Sequence, residues 1–410
     1  MAIARDRSRG ARDDATRARA TPANARARAM AIELDRLLGA RDDATRARAV
    51  RSVEHAPDVS PLGATARGAP ANASRMPDAF YAHGDALVMS HDAVVGVREA
   101  SAGRWRLGEG EDAAYDAAAT ALCANGDHAT AWNARKRAMR ARFDGVERAT
   151  ADARERLVDD ARDELTFARA VQSRFPKAPS AWAHRRWVID AARAAVMGDG
   201  SKEDAWALET FREECRACDA AVLKKRLNYA AWSHRAWALK RLLPNRRELL
   251  DRELCENERR VRTSVSDHCA LHYRSHIVKR ALDARPADRR SIVLYEDELS
   301  RRLIGRYPGH EALWSYYRFV FDTMVRAFPR DDDVSASIKS FVHEQCDVDE
   351  LVRVDPARAE RDAPTQRRLA LAFEIWMNVR VARERGESVV IKHTRATDGS
   401  TVEVESKARA

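Results

Sequence analysis

The sequence predicts an all-α protein built as a solenoid of helical hairpins. Three observations carry this prediction: residues that break helices are scarce, one motif recurs five times, and amphipathic segments lie between its copies. The 410 residues include only 17 Gly and 13 Pro, and 45% of them are hydrophobic. Such a chain can form long helices around a large core, which makes an all-β fold a poor fit.

The repeat is centred on a Trp-x-His-Arg-x-Trp motif. Its five copies follow one another at intervals of 50, 50, 39 and 43 residues. These are lengths of a helix-turn-helix unit, which runs from about 34 to 47 residues in known repeats, with small insertions in the first two. The copies are Trp132-Asn-Ala-Arg135-Lys-Arg137, Trp182-Ala-His184-Arg185-Arg-Trp187, Trp232-Ser-His234-Arg235-Ala-Trp237, Leu271-His-Tyr273-Arg274-Ser-His276 and Trp314-Ser-Tyr-Tyr317-Arg-Phe319.

Helix stop signals precede four of the five copies. Pro176, Asn228, Asp267 and Pro308 each lie shortly before a copy, where they can end one helix or cap the next. The segments between copies supply the other helix of each pair. In residues 204–226 the apolar side chains recur every three or four positions, at Leu208, Phe211, Cys215, Cys218 and Val222.

The cysteines are predicted to be reduced, and Cys215 and Cys218 to lie in the core. Six cysteines spread over this length do not form the dense framework of a small secreted domain. Cys215 and Cys218 have the spacing of half a zinc site, but no second ligand pair is evident. Their place on an apolar helical stripe favours burial in the core.

The motif helix is expected to be buried on more than one side. Trp at position i shares a face with Arg at i+3, while His at i+2 shares another with the aromatic residue at i+5. We therefore expect Arg185, Arg235 and Arg274 to be partly buried, with a carboxylate, carbonyl groups or an aromatic face as partner. His184 and His234 are expected to bond a neighbouring backbone group. The motif residues predicted to be structural are Trp132, Arg135, Trp182, His184, Arg185, Trp187, Trp232, Trp237, Tyr273, Arg274 and Trp314.

Four regions are predicted. Residues 1–49 form a disordered Arg/Ala-rich region, 50–114 an irregular cap, 115–385 the solenoid of five repeats, and 386–410 a flexible tail. The apolar pattern predicts a last helix over residues 366–385. Two short segments beyond it could pair as a hairpin, at residues 389–391 and 402–404. Residues 10–20 recur unchanged at 39–49, which indicates a tandem duplication or a true start at Met30. The acidic residues near the N-terminus weigh against a transit peptide.

The charge is concentrated at one end of the chain. Half of the net charge of +10 lies in residues 1–29, so the folded part gives no strong case for binding nucleic acid. An RNA-associated tail is an alternative that fails if residues 1–29 can be removed without changing activity or partners. No apolar run has the length of a membrane helix, and no secretory signal is present, so we expect the protein in the cytoplasm.

Catalytic signatures are not found in the sequence. It contains no Gly-rich phosphate loop, no His-Glu-x-x-His and no Gly-x-Ser-x-Gly. His268, His272 and His276 follow an i, i+4, i+8 spacing that could suggest a metal stripe. No nearby fourth ligand accompanies them, so we predict no metal site in this chain.

The motif, preceded by Asn228-Tyr229 in the third copy, resembles the repeat of protein prenyltransferase alpha subunits. Copies two and three match well, copies one and four less completely, and copy five has Tyr317 in place of Arg. The resemblance covers about residues 115–330. It implies a right-handed superhelix of paired helices that wraps around a separate β subunit, which holds the zinc and the isoprenoid diphosphate. This chain would then bind no cofactor itself.

Residues 266–274 and 130–136 resemble one branch of that family. The branch looks like the alpha partner of a third type of geranylgeranyltransferase, which shares a Rab-type β subunit and acts on C-terminal cysteines of proteins that include an already farnesylated SNARE. The resemblance implies a transferase in which the alpha subunit is not itself catalytic.

One departure from the family concerns the candidate active-site edge. Farnesyltransferase-type alpha subunits place Lys immediately before the Asn-Tyr pair, and this sequence has Leu227 there. The neighbouring Lys224, Lys225 and Arg226 could lend charge to a diphosphate, but a solvated helix face is the preferred interpretation. The residues that match the family's edge are Asn228, Tyr229, His234 and Arg235.

A non-enzymatic scaffold is the competing hypothesis. Helical repeats of the TPR kind bind protein or RNA partners without prenyl transfer. The TPR signature Trp-x-x-Leu-Gly-x-x-Tyr is not found, whereas Trp-x-His-Arg occurs twice. The sequence therefore favours the prenyltransferase alpha subunit.

Overall fold

A computed structural model describes residues 52–55, 80–83, 86–89, 111–144, 149–197, 200–243, 246–327, 332–346, 356–396 and 399–408. The chain divides into two compact units, residues 1–234 and 235–410. The predicted disordered region 1–49, with both copies of the duplication, lies outside the described residues.

The described residues of the first unit form a small sheet followed by helices. Strands β1 (Ser52–His55), β2 (Phe80–His83) and β3 (Ala86–Met89) lie within the region predicted as an irregular cap, in the order β1-β3-β2. Strand β3 is parallel to β1 and antiparallel to β2. The helices that follow are α1 (Glu111–Ala124), α2 (Ala129–Phe143), α3 (Ala151–Arg174), α4 (Pro179–Val196), α5 (Gly200–Lys224) and α6 (Tyr229–Leu242), in which the boundary between the units falls.

The second unit is also helical and ends in a hairpin of strands. Its elements are α7 (Arg247–Thr263), α8 (His268–Ala284), a 3-10 turn (Pro286–Asp288), α9 (Arg289–Arg306), α10 (Glu311–Ala327), α11 (Asp332–Cys346), α12 (Pro356–Glu384), β4 (Glu387–Ala396) and β5 (Gly399–Ala408). Strands β4 and β5 pair antiparallel with Ile391 opposite Val404. This confirms the hairpin predicted within residues 386–410.

Successive helices pack as hairpins, α1 on α2 and α3 on α4 in the first unit, and α7 on α8, α9 on α10 and α11 on α12 in the second. The predicted all-α class, made of helical hairpins in the manner of a solenoid, is confirmed. The handedness of the superhelix stays a prediction.

The predicted helix boundaries are confirmed at the motif copies. Asp267 caps α8 by accepting hydrogen bonds from the backbone N–H groups of Cys269 and Ala270. Asn228 accepts one from the N–H of Ala231 at the start of α6. Polar side chains thus satisfy the N–H groups that a helix leaves without internal partners.

The motif tryptophans of the first two hairpins anchor the turn that precedes their helix. In α2, Trp132 Nε1 donates to the carbonyl of Gly126 at 2.9 Å, and in α4, Trp182 Nε1 donates to the carbonyl of Pro176 at 3.0 Å. A side chain at Gly126 would meet the ring of Phe175, since an added Cβ would lie 2.6 Å from it. The first turn therefore requires Gly at this position.

The last helix is longer than the sequence predicts. The last helix, expected over 366–385, begins ten residues earlier at Pro356 and carries Pro364 in its interior.

All six cysteines are free thiols. Cys218 is fully buried and its thiol donates to the carbonyl of Ala231, which confirms its core role, whereas Cys215 is half-buried. In the described part of the chain, none of the helices combines the length and apolarity that crossing a membrane requires.

Replacing Trp182 by Phe should destabilise the protein more than replacing Trp187 by Phe. The first change removes a buried indole and its hydrogen bond, and we expect a loss of about 2 kcal/mol. Trp187 is half-buried on the same helix, so its loss should be under about 1 kcal/mol. Urea denaturation of both variants measures the difference, and equal losses would contradict the anchoring role of Trp182.

Candidate functional site

A buried glutamate joins consecutive motif helices in the first unit. Glu164 lies on α3 and is 1% exposed. Its Oε1 accepts a hydrogen bond from Arg135 Nε of α2 at 2.8 Å and one from His184 Nε2 of α4 at 2.6 Å. Its Oε2 accepts one from the hydroxyl of Tyr115 at 2.6 Å. Because Tyr115 lies on α1, this one carboxylate joins the four helices α1 to α4 of two hairpins.

The next hairpin repeats the arrangement. Glu214 of α5 is fully buried and forms a bidentate ion pair with Arg185 of α4, whose Nε lies 2.8 Å from Oε2. The same oxygen lies 2.6 Å from Nε2 of His234. Because an ionised carboxylate only accepts hydrogen bonds, the proton lies on Nε2 in both histidines.

The second unit uses the same design with tyrosine in place of histidine. Glu253 of α7 accepts from Arg235 Nε at 2.8 Å and from the hydroxyl of Tyr273 at 2.6 Å. In the following hairpin, Glu296 of α9 accepts from Arg274 Nε at 2.8 Å and from the Tyr316 hydroxyl at 2.7 Å.

The sequence spacing within these clusters is constant after the glutamate and variable before it. Each glutamate precedes its histidine or tyrosine by 20 residues. The arginine precedes the glutamate by 29, 29, 18 and 22 residues in successive repeats. All of the variation in repeat length therefore lies between one motif helix and the next first helix.

The arginines make a third contact that a lysine could not reproduce. Nη1 of Arg135, Arg185 and Arg274 donates to a backbone carbonyl 20 residues earlier, at 3.1, 2.7 and 3.0 Å respectively. The planar guanidinium satisfies both the carboxylate and this carbonyl at once. We expected Arg185, Arg235 and Arg274 to be partly buried with a carboxylate, carbonyl groups or an aromatic face as partner. This is confirmed, because all three are buried and each pairs with a glutamate. Arg135 follows the same pattern.

The charges of the first unit's clusters are set by burial and pairing. Burial alone would raise the pKa of Glu164, but the charge of Arg135 and the hydrogen bonds from His184 and Arg135 outweigh it and hold that pKa well below its usual range. Glu214 follows the same pattern with Arg185 and His234. Burial lowers the pKa of His184 and of His234, and the neighbouring carboxylates oppose this only in part.

The partner predicted for the histidines was wrong. His184 and His234 were expected to bond backbone groups, and each instead bonds a glutamate side chain. The rings also contact motif tryptophans. His184 stacks on Trp132 with centroids 4.4 Å apart, and His234 packs at a tilt against Trp182 with centroids 4.9 Å apart. The motif's histidines and tryptophans therefore pack as one layer.

The four residues of the candidate active-site edge do not share one exposed surface. Asn228 is fully buried, where its Nδ2 donates to the carbonyl of Pro176 at 2.8 Å. His234 and Arg235 are buried in the carboxylate clusters. Tyr229 is 63% exposed at the start of α6.

The glutamates are the residues that sequence reasoning missed. A signal was present, since an acidic residue lies 18 positions before the aligned motif position in copies two to five. Those residues are Glu164, Glu214, Glu253 and Glu296. The periodic glutamate is hard to recognise because the same helices contain many other acidic residues.

The turn between α5 and α6 carries the departure from the family pattern. Leu227 is 45% exposed and has a backbone φ of 55°. Lys224, Lys225 and Arg226 are exposed, which confirms the solvated face expected for them.

Cations and half-buried aromatic rings line the exposed face of the second helix in several hairpins. In the first unit, Lys136 and Arg140 of α2 lie 6.0 and 5.9 Å from the ring centroid of Trp187 on α4. In the second unit, Lys279 of α8 lies 5.3 Å from the ring of Phe319 on α10. Aromatic rings with cations over their faces are typical of contact surfaces between proteins.

The histidine stripe on α8 does not gather a ligand set. The rings of His272 and His276 have centroids 4.7 Å apart and both residues are exposed. Among the residues that the structure describes, no group of three or more His, Cys, Asp or Glu could hold a metal ion.

Two stretches of the chain are similar to a known repeat family. Residues 161–192 and 211–242 match the family described as protein prenyltransferase alpha subunit repeat. The two matches contain Glu164 with His184 and Glu214 with His234, and so coincide with the first unit's clusters. The chain therefore carries two matches to the prenyltransferase alpha subunit repeat, each containing the glutamate and the histidine of one cluster.

The chain is also similar to protein prenyltransferase alpha subunit repeat-containing protein 1 of several organisms. It is 29% identical to the Danio rerio protein over 247 residues, 51% of this chain and 54% of that protein. It is 28% identical to the Homo sapiens protein over 251 residues, 51% of this chain and 59% of that protein. The chain spans little more than half the length of these curated relatives.

A more distant similarity links the chain to a named enzyme subunit. It is 24% identical to geranylgeranyl transferase type-2 subunit alpha of Mus musculus over 229 residues, which cover 55% of this chain and 36% of that protein.

Replacing Glu214 by Gln should destabilise the protein far more than the same change at Glu213. Glu214 is buried with Arg185, so neutralising it leaves an uncompensated buried charge and should cost about 3–5 kcal/mol. Glu213 pairs with Arg169 and Arg216 at the surface, where the loss should stay under about 1 kcal/mol. Urea denaturation compares the two, and similar values would contradict the assigned role of Glu214.

Stability should fall as the pH drops below the ordinary titration range of histidine. His184 and His234 have lowered pKa values in the folded state, so the unfolded chain takes up protons first as the pH falls through about 6.5. Their contribution to stability is therefore complete above that pH and is lost below it. The glutamates stay ionised to lower pH and add their loss only there. Urea midpoints between pH 7.5 and 5.5 measure this, and a double variant with Gln at both histidines should show a weaker dependence.

Proposed function

We propose that this chain is the alpha subunit of a heterodimeric protein prenyltransferase of the geranylgeranyltransferase type. In this proposal it wraps a catalytic β subunit and helps to position the protein substrate for thioether prenylation of a cysteine. One observation carries it: the motif's arginines and histidines are engaged in buried carboxylate clusters that coincide with the alpha subunit repeat. These side chains build the scaffold, and the chemistry falls to a partner.

The exposed faces of the second helices are the proposed partner surfaces. They combine half-buried rings such as Trp187 with cations such as Arg140, and they are not needed for packing within the hairpins. An interface built on aromatic residues and arginine suits a stable heterodimer. Similarity to a geranylgeranyl transferase type-2 alpha subunit favours a Rab-type β subunit as that partner.

The zinc and the isoprenoid diphosphate are assigned to the β subunit, and the protein substrate ends in a C-terminal cysteine. The cytoplasm is the proposed compartment. Of the four candidate edge residues, Tyr229 is the accessible one and is proposed to face the substrate. Asn228 fixes the turn before it, while His234 and Arg235 support it through packing.

Transfer of labelled geranylgeranyl to a farnesylated SNARE tests the proposal. The chain co-purified with a Rab-type β subunit should transfer the label, and each subunit alone should not. Co-purification without transfer would support the pairing of the two subunits and contradict the proposed transferase activity. Absence of both would instead support a repeat scaffold with another partner.

Charge reversal separates the proposed surface from the rest of the molecule. The double variant Lys136→Glu and Arg140→Glu on α2 reverses the two cations beside Trp187 and should weaken capture of the β subunit by about tenfold or more. The matched variant Arg156→Glu and Arg212→Glu changes two exposed arginines of the first helices α3 and α5, and should leave capture unchanged. Equal effects of the two variants would refute the choice of face.

A further inference from the structure

Helix α2 carries an excess of positive charge. Its 15 residues include five basic side chains and no acidic one. The neighbouring first helix α3 differs, because its five arginines are accompanied by six acidic residues. Arg135 is buried with Glu164, so the other four basic side chains of α2 supply the charge of its surface.

Three of these four side chains form one group, here named the basic patch: Lys136, Arg137 and Arg140. Lys136 and Arg137 each lie within one helical turn of Arg140, so the three cations are neighbours on the helix surface. Among the residues that the structure describes, no carboxylate forms an ion pair with any of the three, whereas Arg142 lies 4.0 Å from Asp160 of α3. The basic patch is therefore a cluster of like charges without carboxylates of its own.

This grouping does not stabilise the free chain. Like charges four positions apart on a helix repel each other. Burial lowers the pKa of Lys136, and the charge of Arg140 lowers it further. Elsewhere in the first unit exposed arginines lie beside carboxylates, as Arg162 does beside Asp159 and Glu209. Folding therefore does not explain the basic patch.

An aromatic ring extends the same surface. Trp187 of α4 is half-buried, and the charged groups of Lys136 and Arg140 lie 6.0 and 5.9 Å from its ring centroid. Cation–π contacts restrict both long side chains, which reduces the entropy that they would lose on binding an anion. Tryptophan and arginine are also enriched among the residues that contribute most to protein interfaces.

We propose that the basic patch binds an acidic segment of the β subunit, whose carboxylates complete the charge balance that α2 lacks. The inference rests on the proposed function and adds the chemistry of the partner's matching surface. A nucleic acid would require an extended basic stripe. The stripe does not continue, because α4 has the exposed Asp190 at the position equivalent to Arg140.

Association kinetics of the full chain with a Rab-type β subunit test the inference. From about 0.05 M to about 0.5 M salt the association rate constant should fall about tenfold or more, because screening removes the attraction between the basic patch and the acidic segment. The variant Lys136→Gln and Arg140→Gln should lower the rate about tenfold at low salt and lose most of the salt dependence. Its urea midpoint should not fall, since the change relieves repulsion within α2.

The matched control is Arg156→Gln with Arg212→Gln, which removes the same charge from exposed positions of α3 and α5. It should change the rate less than about twofold. Association that does not depend on salt, or equal losses in the two variants, would overturn the inference and leave the pairing of the subunits intact. A β subunit that does not bind at all would contradict the proposed function, and the inference would fail with it. Binding of oligouridine that the α2 variant weakens, with unchanged binding of the β subunit, would assign the basic patch to nucleic acid instead.

Discussion

A buried carboxylate shared between neighbouring hairpins is the interaction on which the repeats depend. An unpaired glutamate at zero exposure would be very costly, so each one needs a cation close at hand. The arginine comes from the preceding motif helix, and the second donor comes from the motif helix of the glutamate's own hairpin. Because each hairpin completes the charge balance of its neighbour, the repeats within a unit stabilise one another.

The same interaction explains how far the motif can vary. The second donor has to supply one hydrogen to a carboxylate oxygen, and histidine and tyrosine both do so. His234 and Tyr273 therefore occupy equivalent places although the copies look different in the sequence. The fifth copy replaces Arg by Tyr317, whose hydroxyl bonds Asp297 at 2.8 Å and whose ring stacks on Phe373 of α12. The fifth copy therefore meets the following hairpin, α11 on α12, through an aromatic ring instead of a buried arginine.

The sequence predicted the helical class, the hairpin turns and the burial of the motif arginines, because these follow from local patterns. Tryptophan and arginine three residues apart share a helix face, and Pro or Asn before each copy marks a turn. The identity of the arginines' partners did not follow, since Glu164 is one of many acidic residues on α3 and only tertiary packing selects it. Nor did periodicity predict that α12 would continue through Pro364, because proline is ordinarily read as a helix boundary. Of the candidate edge, the match to a family motif could not distinguish the buried Asn228 from the exposed Tyr229.

The unequal spacings also divide the chain into stretches that tolerate insertions and stretches that do not. The 20 residues from each glutamate to its histidine or tyrosine have to span a helix, a tight turn and the start of a second helix without slack. The stretch from arginine to the next glutamate, which shortens from 29 to 18 residues, places no such demand on length. Over evolutionary time, insertions can accumulate on only one side of each hairpin. Additional segments acquired by such a protein would thus be inserted in the connectors between hairpins. The turns within the hairpins would keep their length.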